Sequence, residues 1–171
     1  MSTVFLVAHL TAVLLAALAL WSMRHEFNER AATGLDWALP PVFAVGVAAI
    51  LLIVSPGKRF ELWTLAIAGG LVIGLVMGTT LRAIKDFARG LVRIDRAWDG
   101  MGAAALLLLL ALARVVTSDL MDRPSGNFGV LGASAAFLAA YLAGRSITLH
   151  FYTARKSIHL DMFRGQGRRP D

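Results

Sequence analysis

Ionisable side chains inside long apolar stretches are functional candidates by default, because a charge or an imidazole is costly to keep there. Three stand out in this chain. His9 lies early in the first apolar run, Arg114 lies late in the fourth, and Arg145 lies toward the end of the fifth. Thr117 and Ser118 follow Arg114 by one turn, with Asp119 directly after them. If the runs are helical, a rise of about 1.5 Å per residue brings His9 and Arg114 to similar depths. His9, Arg114, Thr117, Ser118 and Asp119 then form a candidate outer polar cluster, of the kind a small transporter or lipid-handling carrier would use. The plainer alternatives are snorkelling of Arg114 and Arg145 toward an interface and a single hydrogen bond from His9 to a neighbouring helix.

Other chemistry is narrowed by what the sequence lacks. With Cys 0 there is no thiol exchange, no Cys-based zinc site and no iron–sulfur cluster. Bis-histidine haem needs two axial ligands facing each other at one depth. His9 falls in the outer half of the first run, His150 at the inner end of the fifth and His159 in the tail, so haem b is a weak expectation and no cofactor or metal is expected. Inside the runs there is no Ser-His-Asp order, no paired carboxylates and no His-x-x-x-His spacing. No carboxylate falls within a run, which argues against a proton-coupled carrier. A non-enzymatic protein is expected, with no catalytic residues.

Two further patterns concern association. Gly70, Gly74 and Gly78 place small residues on one face at every fourth position, the pattern that lets helix backbones approach closely in lipid. Whether that face meets another helix of this chain or a separate subunit stays open at this point. In residues 82–99, Ile84, Phe87, Leu91, Ile94 and Trp98 recur at steps of three and four, and so do Arg82, Lys85, Arg89, Arg93 and Arg96. At about 100° per residue the two sets fall on opposite faces, which predicts a basic amphipathic helix, or a bent extension of the third span weakened at Gly90. Its basic face would grip anionic headgroups at about 1 kcal/mol per residue, or dock an acidic partner protein. Nucleic acid is not expected, since lipid already supplies the counter-charge.

These residues must be positioned by membrane spans. Of 171 residues, 57% are hydrophobic and 16% charged, with a mean hydropathy of +0.67. Ordinary soluble domains are less apolar and carry about 25% charged residues. Five runs approach the length needed to cross a bilayer, at about 4–21, 38–55, 62–81, 101–118 and 128–152. Each must be helical, because lipid offers backbone groups no partner. Pro40 and Pro41 are expected at the start of the second helix, and Pro56-Gly57 and Pro124–Asn127 mark turns. Trp21, Trp37, Trp63 and Trp98 fall at predicted helix ends, as an aromatic belt requires.

Orientation follows from the basic residues. One side collects Arg24, Arg30, Arg82, Lys85, Arg89, Arg93, Arg96, Arg155, Lys156, Arg164, Arg168 and Arg169, against Lys58, Arg59 and Arg123 on the other. The richer side is expected to be cytoplasmic, leaving the amino terminus outside and the basic tail, 153–171, inside. The first run carries its positive charge after the apolar stretch, at Arg24, which reads as an uncleaved helix rather than a secretory signal.

The stretch from Gly70 through Arg114 combines the glycine-spaced helix, Thr79-Thr80, a short basic segment and a leucine-rich helix closing in Leu112-Ala113-Arg114. In this it resembles the CcdC-like family of small multi-spanning bacterial membrane proteins, across about a quarter of the chain. The resemblance implies about five spans and an association with cytochrome c biogenesis. Without cysteine, that role would be accessory, and no catalytic residue carries over. The expected fold is all-α, a five-helix transmembrane bundle with a cytoplasmic basic amphipathic segment. The expected function is an inner-membrane accessory or assembly protein that binds anionic lipid and other membrane proteins through the glycine face and the basic loop. The alternatives are a small transporter or lipid-handling carrier, and a haem- or quinone-associated subunit of a respiratory or photosynthetic complex.

Overall fold

The computed structural model describes residues 3–24, 32–55, 59–81, 83–86, 91–94, 97–120 and 128–155. Five long helices account for most of them: α1 (Thr3–Ser22), α2 (Gly34–Val54), α3 (Phe60–Thr80), α4 (Asp99–Leu120) and α5 (Phe128–Arg155). Each contains a stretch long and apolar enough to cross a membrane. The membrane-spanning part is therefore all-α, and the chain is a multi-pass membrane protein.

α5 is the hub. It packs most extensively against α3, and also against α2 and α4, while α1 closes the bundle against α2 and α4. Apart from a few buried polar side chains such as His9, Arg114 and Arg145, inside and outside differ in side-chain size. The core is built from small residues such as Ala12, Ala16, Ala44, Ala104, Ala111, Ala135 and Ala139, with Val47, Leu107 and Leu142 between them. Leu10, Leu14, Ile53, Leu65, Val72 and Leu109 point outward. Lipid is as apolar as leucine, so burial of large side chains gains little and close backbone approach decides the packing.

Helix α2 begins earlier than its prolines suggest. Pro40 and Pro41 lie inside it, not at its start, and the extra residues bring Asp36 into the first turn. A carboxylate there meets the partial positive charge of the helix N-terminus. The tryptophans do sit at helix ends, with one difference. Trp21 and Trp98 are exposed, whereas Trp37 is buried in the packing. Arg24 lies 3.9 Å over the Trp21 ring, a cation–π pair at the end of α1.

The basic segment departs from the helix expected of it. Residues Ala83–Asp86 form strand β2 and Leu91–Ile94 form strand β3, following β1 (Ala32–Thr33) in the α1–α2 connection. All three pair antiparallel in the order β1-β3-β2. Ala83 pairs with Ile94, Ile84 with Arg93, Lys85 with Val92 and Asp86 with Leu91, while Ala32 and Thr33 pair with Val92 and Leu91. The three- and four-residue spacing is thus overruled by β-branched Ile84, Val92 and Ile94 and by a partner strand from a remote loop. Arg82, Arg89 and Arg96 lie outside the described residues, as does the basic tail beyond Arg155. The sheet joins the α1–α2 and α3–α4 connections, so both lie at the same end of the bundle.

Candidate functional site

The glycine stripe of α3 is occupied from within the chain. Gly70, Gly74 and Gly78 are buried. A Cβ at Gly70 or Gly74 would overlap the carbonyl oxygen of Phe137 or Tyr141, and one at Gly78 would come 2.6 Å from Thr148 Cβ and 3.0 Å from the Arg145 oxygen. Both sets step by four residues in the same sense, so α3 and α5 run parallel with their backbones nearly touching. From the other side, a Cβ at Gly144 would fall 2.6 Å from the Leu71 carbonyl. Cα–H groups meeting carbonyls at this range contribute weakly but repeatedly. The Thr148 hydroxyl adds a cross-helix bond, donating to Leu75 O at 3.1 Å. The expected docking of partner proteins through this face is therefore corrected: α5 covers it.

Beside the seam, at the end that carries the sheet, Arg145 turns inward. Its Nε donates to Asp99 Oδ2 at 2.9 Å and its Nη2 to Asp99 Oδ1 at 3.4 Å, while the Tyr141 hydroxyl donates to Asp99 Oδ2 at 2.8 Å. The Arg145 side chain is 1% exposed and that of Asp99 31% exposed. Snorkelling does not describe this arginine. Its guanidinium is held by a carboxylate at the first residue of α4, where the helix dipole also favours negative charge. The sequence reading missed Asp99 because it placed the start of the fourth span at 101. A carboxylate at a span boundary, level with an arginine in a neighbouring span, was the available signal.

At the opposite end the residues of the outer cluster make separate bonds. His9 is 2% exposed. Its Nδ1 lies 2.6 Å from the Phe5 carbonyl one turn back, and its ring stacks on Phe5 with centroids 5.4 Å apart. Arg114, 3% exposed, donates from Nη2 to the Val54 carbonyl at 3.4 Å. Val54 ends α2, so the guanidinium meets a carbonyl that lacks an intrahelical donor and the negative end of the helix dipole. The Thr117 hydroxyl donates back to Ala113 O at 2.8 Å and Arg114 O at 3.2 Å. The side chains of Ser118 and Asp119 lie outside the described residues.

No group of three His, Asp or Glu side chains suited to a metal occurs among the described residues. The chain matches no protein-family model, no curated protein and no solved structure.

Proposed function

We propose that the protein is a non-enzymatic accessory or assembly protein of the bacterial inner membrane, with its amino terminus outside and its basic end in the cytoplasm. By the resemblance of residues 70–114, its work belongs to the biogenesis of cytochrome or electron-transfer complexes. The observation that carries this reading is the three-stranded sheet joining two remote loops at one end of the bundle. At that same end the Asp99–Arg145 pair fastens α4 to α5. Such an end holds two loops together as one surface, and the Lys and Arg count makes it attractive to acidic proteins or anionic headgroups. The partner surface is this end, because the glycine face is filled by α5.

The test is isolation in mild detergent, with identification of co-purifying proteins and an absorption spectrum of the same sample. A specific membrane-protein partner supports the accessory role. A colourless, partner-free monomer would count against it, and a Soret band would favour a haem-bearing subunit. The alternative of a small transporter or lipid-handling carrier draws on His9 and Arg114, both buried near the opposite end. Uptake or lipid-transfer assays in vesicles separate it from the accessory reading.

A further inference from the structure

Buried polar atoms almost always find a hydrogen-bond partner, and an exception asks for an explanation. His9 contains one. The Phe5 carbonyl can only accept, so the 2.6 Å contact places the proton on Nδ1. In that tautomer Nε2 carries a lone pair. Nε2 is buried and has no hydrogen-bond partner in the structure. The bond from Nδ1 to a carbonyl also fixes the ring orientation, the arrangement commonly found behind a histidine that binds something. His9 belongs to the buried face of α1, with Ala12, Ala16 and Ala19 below it. Phe5, 39% exposed, stacks on the imidazole at an interplanar angle of 29°. A donor that reached Nε2 would therefore lie close to a partly exposed aromatic ring.

We propose that His9 Nε2 accepts a hydrogen bond from the hydroxyl of a lipid-soluble phenol of the hydroquinone class, bound between α1 and its neighbours with Phe5 beside it. The chemistry selects this class on three counts. The protein side offers an acceptor, so the ligand must donate. The route is through lipid, so the ligand must be apolar. The adjoining surface is a stacked aromatic, so a ring fits where a chain alcohol does not. Arg114 stands on the neighbouring α4 near the same end, fixed to the Val54 carbonyl. No electron transfer is implied. The site is independent of the accessory role, since a partner can co-purify whether or not the site is filled.

The experiment compares a short-tailed alkyl hydroquinone, kept reduced, with its dimethyl ether on the purified protein in detergent. Binding is read by calorimetry and by the imidazole 15N resonances of His9. The hydroquinone is expected to bind about tenfold more tightly than the ether, the equivalent of one neutral hydrogen bond, and to shift the Nε2 resonance, which the ether leaves in place. His9→Leu should abolish the preference, and Phe5→Ala should weaken both probes alike. Equal affinity of the two probes, meaning partition into apolar surface only, overturns the proposal. So does a preference that survives in a folded His9→Leu protein. Should that variant not fold, the Nε2 resonance of the unaltered chain decides: no shift with hydroquinone refutes the site.

Discussion

Removing the Asp99 charge is the most direct test of how α4 is fastened to α5. Asp99→Asn keeps the shape and an acceptor for Tyr141, but leaves the buried Arg145 guanidinium facing a neutral group. Breaking a buried ion pair from one side costs about 3–5 kcal/mol when both partners are inaccessible. Here Arg145 is 1% exposed and Asp99 31% exposed, so water still reaches the carboxylate, and about 3 kcal/mol is expected. Arg145→Met removes the charge and keeps much of the volume. It should cost less, about 1–2 kcal/mol, because Asp99 retains solvent and the bond from Tyr141 at 2.8 Å. The double variant should cost clearly less than the sum, with a coupling of about 1.5 kcal/mol or more. The assay is unfolding in mixed micelles by titration with a denaturing detergent, followed by tryptophan fluorescence. Additivity within about 0.5 kcal/mol would refute the reasoning and show that the pair fastens nothing.

Three other outcomes are expected. Gly74→Leu sets a side chain against the Tyr141 carbonyl, which is backbone and cannot yield as a side chain would. The loss should reach or exceed the upper end of the usual overpacking range, about 1–3 kcal/mol, whereas Gly102→Ala, with nothing within 4 Å, should be neutral or stabilise by up to about 1 kcal/mol; equal effects in the same unfolding assay would show that the seam is not tight. A reporter fused after Asp171 should read cytoplasmic and one inserted between Ser55 and Lys58 periplasmic, and reversed signals would overturn the orientation. Changing Arg89, Arg93 and Arg96 together to Gln should weaken attraction to anionic vesicles by roughly 3 kcal/mol at low salt. A co-purifying partner that is lost both in that variant and on raising the salt would assign these residues to protein docking, because surface charge pairs are screened within about 10 Å at 0.1 M.

The five spans and their approximate limits were legible in the amino-acid sequence, because the bilayer sets a length and an apolarity that short windows can detect without knowledge of neighbours. The glycine stripe was equally legible, since a four-residue step is a property of one helix. Its partner was not: only the tertiary structure decides whether Gly74 meets α5 or another molecule, and it sets Gly74 against the backbone of Tyr141. Hydrophobicity could not reveal which faces were inside, for leucine in lipid and leucine in the core are nearly equivalent, and the sorting runs by size instead. The basic segment misled for a related reason. Ile84, Leu91 and Ile94 satisfy a helical period within the segment, but a strand's stability comes from its partners, and Ala32 and Thr33, which complete the sheet, lie far away in the chain. Arg145 was visible as a charge near the end of a span, yet its meaning depended on Asp99, a residue 46 positions earlier that becomes its neighbour only when α4 packs on α5. Span length and composition are local quantities, open to anyone reading along the chain. Pairing is a relation between distant residues, and the fold alone supplies it.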